Sequence, residues 1–150
     1  MRGIEAAWKE TYERFKFPVF LIGKDASIID INKSFIKMLG YSQKDILKKS
    51  LLDITDPEDR IHEVNNFIDT FYGRMKKSSL VKRFLKKSNN SIQVHQYTFP
   101  IDDESNATVF AIIYLIPMKF ENPKDLEKFI PLINKLKSAA SFSDLKEFGN

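Results

Sequence analysis

Asn32-Lys33-Ser34-Phe35-Ile36-Lys37-Met38-Leu39-Gly40-Tyr41-Ser42, continued by Asp45-Ile46-Leu47-Lys48-Lys49-Ser50 and Asp56-Pro57-Glu58-Asp59-Arg60, sets the architecture of the chain. Asn32 is a good helix N-cap, because its side-chain oxygen can accept from the free N–H groups two or three residues on. Phe35, Met38 and Leu39 then share one helical face, and Gly40 supplies a left-handed exit. Ser42 caps a second short helix that buries Ile46 and Leu47. Asp56 and Asp59 are the remaining caps: a proline at the first helical position and acids against the positive end of the dipole mark a helix start. That helix is expected to reach about Tyr72, with Ile61, Val64, Phe67, Ile68 and Phe71 inward and Gly73 ending it.

Upstream, Phe17 to Ile22 is apolar throughout, Gly23 to Ala26 interrupts, and Ser27 to Ile31 alternates, which predicts a two-stranded hairpin. Residues 1–16 place Ile4, Trp8, Tyr12 and Phe15 on one side of an amphipathic helix, with Glu5/Lys9 and Glu10/Arg14 spaced as ion pairs. Downstream, Leu80 to Lys86 and Ser91 to Phe99 read as strands joined by a tight two-residue turn at Asn89-Asn90. After a polar loop at 102–106, Val109 to Ile116 is apolar on both faces, as in a central strand, and Pro117 closes it. Asn122-Pro123-Lys124-Asp125 opens a final helix, bent at Pro131. Helix, two strands, short helices and three strands make an α+β domain with one antiparallel sheet.

The composition excludes much chemistry. The 150 residues suit one domain and contain no cysteine, which removes disulfides, iron–sulfur clusters and thiol nucleophiles. Two histidines, His62 and His95, cannot build a Cys/His zinc site, and the five glycines are too scattered for a phosphate loop or dinucleotide fingerprint. The longest apolar run, Val109 to Met118, is about half of the roughly 20 residues a bilayer requires. No secretory signal is visible in residues 1–16, so a cytoplasmic, non-membrane protein is expected. A net charge of +4 is too small to mark a nucleic-acid protein.

From Phe17 to Met118 the chain resembles a PAS domain. The residues carrying the likeness are those quoted at the outset, similar to that family's Asn-x-x-Phe, Gly-Tyr-Ser, acid-Leu-Leu-Gly-Lys-Ser and Asp-Pro-x-Asp pattern. Asp25-Ala26 and Asn89-Asn90 replace the family's frequent Asp-Gly turns, and Pro117-Met118-Lys119-Phe120 replaces its usual Asp-Ile/Val-Thr ending. The resemblance implies a five-stranded antiparallel sheet with short helices on one face and flanking helices at 1–16 and 119–150. It implies a sensory or signal-transduction module, not an enzyme by itself. A ligand or partner would act at the cavity, and the change would pass through flanking helices and dimerisation to a kinase, cyclase or transcription regulator. The alternative is a ligand-free protein–protein interaction module.

The implied pocket is lined by Phe35, Met38, Leu39, Ile46, Ile54, Val64, Phe67, Ile68 and Phe71, which hold a small apolar metabolite or fill the space themselves. Haem through His62 is disfavoured, since that residue falls off the apolar stripe among Glu63, Asn66 and Asp69. A cysteinyl-flavin adduct is excluded, and no metal is expected. Seven basic residues between Arg74 and Lys87, including Lys82, read as an edge strand guarded against unwanted pairing rather than as a nucleic-acid strip. Trp8, Tyr12 and Phe15 are the candidate homodimer contacts, with packing on the chain's own sheet as the competing reading.

Overall fold

The computed structural model describes residues 15–47, 49–73 and 78–118, with Glu127 and Pro131. The expected opening helix, including Trp8 and Tyr12, and most of the expected final helix lie outside the described residues. Five strands, β1 (Val19–Gly23), β2 (Ile28–Ile31), β3 (Ser78–Leu85), β4 (Ser91–Asp102) and β5 (Thr108–Pro117), form one antiparallel sheet in the order β2-β1-β5-β4-β3. Between β2 and β3 lie α1 (Lys33–Leu39), α2 (Gln43–Ile46), a 3-10 turn at Pro57–Asp59 and α3 (Arg60–Phe71). The α+β class and the sheet follow the sequence expectation.

β5 is central because it is apolar on both faces, and every one of its residues is buried. Ala111, Ile113 and Leu115 join Phe20, Ile22, Phe35, Leu39, Ile46, Ile54 and Phe84 in an inner core under the helices. Ile112, Tyr114 and Ile116 join Val19, Leu21, Phe99 and Ile101 on the outer face. Phe15 lies on that outer face, its ring 5.1 Å from that of Tyr114, so this one of the three dimer candidates packs on its own sheet.

Three caps form as expected: Asn32 accepts from Phe35 N at 3.0 Å, Ser42 from Asp45 N at 3.1 Å and Asp56 from Glu58 N at 3.0 Å. Asp59 does not cap. Its carboxylate instead accepts the backbone N–H and guanidinium of Arg83, a stronger charged partner than an exposed amide. The acidic start is therefore a 3-10 turn before α3 rather than its first turn. Asn89 does take a left-handed backbone, with φ of 69°, but the turn is longer than two residues. Lys86 N donates to Asn90 O, leaving Lys87-Ser88-Asn89 as the loop. A three-residue loop ending in a left-handed residue is the next most common hairpin connection after the two-residue form.

Candidate functional site: a buried polar cluster beneath the third helix

The orientation of α3 differs from the expected one. Ile61 is 68% and Ile68 48% exposed, whereas Glu63 and Thr70 are buried with Phe71, and Phe67 is half-buried beside them. Positions 63, 67, 70 and 71 form a regular helical stripe, but one rotated away from the Ile61–Ile68 stripe that hydrophobicity favours. What turns the helix is an electrostatic partner that no local pattern contains. Lys82, the residue of β3 opposite Val94, points into the interior, and its ammonium lies 2.9 Å from a Glu63 oxygen, both side chains being 1% exposed or less. The expectation that Lys82 guards an edge is thus corrected: β3 is an edge strand, but Lys82 faces the core with Phe84.

Around that pair the polar groups close on one another. Lys82 Nζ donates to Thr55 Oγ1 at 2.7 Å, and Thr55 Oγ1 donates to Leu51 O at 2.8 Å. The Lys82 ammonium also sits 4.2 Å from the Phe84 ring centre, where the aromatic face attracts a cation. From β4, Gln96 Nε2 donates to both Glu63 oxygens at 3.2 and 3.1 Å. Burial pushes the Lys82 amine below its ordinary value, while the Glu63 charge and hydrogen bond pull it back. The result is a charge-balanced polar island inside an apolar cup, tying α3 to β3 and β4.

Seven of the nine anticipated pocket residues meet there: Phe35, Leu39, Ile46, Ile54 and Phe71 are buried in the inner core, with Met38 and Phe67 packed against it. Val64 is half-buried, and Ile68 faces solvent and leaves the set. His62 is exposed, as its position off the apolar stripe implies. His95 is half-buried and stacks on Tyr97, ring centres 4.4 Å apart. Among the described residues no group of three or more His, Cys, Asp or Glu could hold a metal ion. Sequence reading misses Glu63, Lys82, Gln96 and Thr98. The available signal is in β4, where Gln96 and Thr98 share the inward phase of Val94, a phase that polar residues in a half-buried strand normally avoid.

Outside the cup two described residues of the basic run, Arg83 and Lys87, are paired. Arg83 bridges Asp59 and Glu58, each at 3.0 Å, and Lys87 meets Asp45 at 2.7 Å. The latter pair borders a surface cleft of about 530 Å³ between α2 and the β3–β4 loop.

A sequence-family model described as "PAS domain" matches residues 16–116. The chain belongs to the PAS domain family. Solved PAS structures share the fold at low identity. A PAS domain of a Colwellia psychrerythraea protein superposes with a TM-score of 0.68 and 19% identity, covering 76% of this chain and 96% of that one. The Rhodobacter sphaeroides LOV protein gives 0.72 at 10% identity, covering 97% and 88%. Drosophila melanogaster Cycle PAS-B, solved with bound ethylene glycol, gives 0.62 at 15% identity, covering 67% and 99%. Among curated proteins, the sensor histidine kinase TmoS of Ectopseudomonas mendocina is 32% identical over 56 residues, 37% of this PAS chain and 6% of the kinase. The chain thus spans a small fraction of the length of that relative.

Proposed function

We propose that this PAS domain is a cytoplasmic sensory module that holds a small molecule inside the cup and relays its presence to a signalling effector. The observation that carries the reading is the Glu63–Lys82–Gln96 cluster. A domain whose interior served only to fold would gain little from a buried ion pair, since well-packed apolar residues are often as stable or more so. A polar island of this kind gives the cup something a ligand can address, and it links α3 to two strands, so a change inside moves an element outside. The resemblance to part of a sensor histidine kinase supports a kinase as effector. No helix among the described residues is long and apolar enough to cross a membrane.

The module acts by binding and relay, not by catalysis of its own. Dimerisation through Trp8, Tyr12 and Phe15 belongs to the same proposal, although the Phe15 ring, packed on Tyr114 of its own sheet, favours the competing reading at that position. Mass spectrometry of an organic extract from purified protein is the test: a stoichiometric small molecule supports the sensor, and a clean extract supports a ligand-free docking module. The second reading is favoured by the close ring packing of Phe20 against Phe35, 5.0 Å between centres, which fills part of the cup with the chain's own side chains. Light scattering tests the dimer, which Trp8→Glu is expected to dissociate.

A further inference from the structure

Two hollows on the surface share one stretch of wall. The first, about 400 Å³, reaches Phe17, Pro18, Ile92 and Pro117, and the second, about 510 Å³, reaches Gly40 and Ser88; Lys37, Met38 and Lys86 line both. Together they form a groove with α1 on one side and the β3–β4 loop on the other. The end of the central strand opens it. β5 stops at Pro117, opposite Val94, so Ile92 of β4 lies past the end of that strand. Met38 and Ile92 are half-buried and pack against the inner core, which gives the groove a firm apolar floor outside the cup.

The charge on its rim has one sign. Lys16, Lys37 and Lys86 come from the segment before β1, from α1 and from the β3–β4 loop, and none of them makes an ion pair with a described residue. Lys82, Arg83 and Lys87, by contrast, each hold an acid of the chain itself. No acid is among the described residues that line either hollow. Cations gathered without a counter-charge repel one another, and carboxylates brought by a partner relieve that repulsion. Two open hollows end to end suit an extended chain, with pockets for separate side chains. A single-stranded nucleic acid would want aromatic platforms under its bases, and the floor offers Met38 and Ile92 instead.

We propose that this groove is a docking site for an extended acidic segment of a partner protein, whose apolar side chains seat on Met38 and Ile92 and whose carboxylates meet Lys16, Lys37 and Lys86. The groove lies where the chain enters the sheet at Pro18 and leaves it at Pro117, so the seated segment touches both ends of the domain. Docking here does not depend on what fills the cup.

The test is fluorescence anisotropy on the full chain with the peptide fluorescein-Glu-Leu-Glu-Glu-Phe-Glu-amide. Saturable binding is expected, weakening on the order of fivefold between about 0.05 and 0.5 M salt as the rim charges are screened. A peptide with Gln for every Glu, and one with Ser for Leu and Phe, should each bind on the order of tenfold more weakly, the first losing the ion pairs and the second the apolar anchors. The Lys37→Glu/Lys86→Glu variant should lose on the order of tenfold, while Lys44→Glu, on an exposed position of α2 outside the groove, should stay within about twofold. Backbone NMR signals of Met38 and Ile92 should shift on titration. The proposal is overturned by a peptide that does not saturate, by equal binding of the Gln peptide, or by a Lys44→Glu loss equal to that of the double variant, which would mean attraction to net charge alone. A duplex oligonucleotide that displaces the peptide at lower concentration would assign the rim to phosphate and overturn it as well. The extract that reports on the cup has no bearing on these outcomes, so the two readings fail separately.

Discussion

Replacing Lys82 with methionine, which keeps the length of the side chain and deletes its charge, should destabilise the domain far more than an ordinary lysine substitution. At 2.9 Å and an effective dielectric constant of about 20, the attraction lost is about 6 kcal/mol. Against that stands the burial cost of the ammonium, which the variant no longer bears. Breaking one side of such a pair nets about 3–5 kcal/mol, because the remaining carboxylate is left buried and uncompensated. For a small domain with a urea slope of about 1.5–2 kcal/mol/M, a loss of about 4 kcal/mol moves the midpoint down by roughly 2–3 M. Glu63→Leu alone should cost a similar amount, leaving Lys82 without its counter-ion and Gln96 Nε2 without the Glu63 carboxylate. The double variant should recover most of the loss, since an apolar pair of matched volume is often as stable as the ionic one. Urea melts of the four proteins close the cycle, and single losses of about 4 kcal/mol each with most of the loss recovered in the double variant correspond to a coupling of about 6–7 kcal/mol, above the usual range for contacting residues. The reasoning is refuted if Lys82→Met costs under about 1 kcal/mol, as at an exposed pair, or if the two single losses simply add.

Asn32→Ala removes more than a cap, because Asn32 Oδ1 also accepts from Val19 N and its amide donates to Phe17 O; thermal or urea melts should show a loss of about 2–4 kcal/mol, above the usual ~1 for a cap. Ile68→Ser should change stability by no more than about 0.5 kcal/mol, while Phe71→Ala costs about 3–5, an asymmetry in the same melts that follows from the rotated phase of α3. Acid denaturation should begin below the ordinary aspartate value of 3.8, because the Arg83 hydrogen bonds hold Asp59 below it in the folded state. A carboxylate depressed on folding contributes stability above its unfolded value and loses it as pH falls through the folded one, so Asp59→Asn should flatten that acid limb in circular-dichroism titrations.

The strands and the first two helices are legible in the sequence because their signals are local. A cap, a three- or four-residue apolar spacing and a terminal glycine lie within one helix, and the double-sided apolarity of Val109–Ile116 by itself announces a central strand. The site is half legible for the complementary reason. Phe35, Leu39, Ile46, Ile54 and Phe71 can be placed inward by pattern, but the phase of α3 is set by Lys82 on a strand that follows the helix in sequence and meets it only in space. Hydrophobicity alone favours burying Ile61 and Ile68, whereas the observed phase buries Glu63 against Lys82 and still keeps Phe67 and Phe71 inward. Asp59 escapes a local reading in the same way, its carboxylate drawn from the nearby helix end to Arg83.

The strand order has a consequence for how the chain comes to fold. Val19 pairs with Tyr114, and Gly23 with Phe110, so the first strand's partner on its inner edge is the fifth strand, made last of the sheet. During synthesis at about 5–20 residues per second, the Val19-Phe20-Leu21-Ile22 run stays without that partner for roughly 5–20 s. The β1–β2 hairpin and the short helices above it have no central strand to close on until Thr108–Pro117 leaves the ribosome. Folding is thereby gated by the arrival of the end of the sheet. That places β1 among the segments most open to mispairing in a nascent chain, and makes any fragment cut before Thr108 a poor candidate for independent folding.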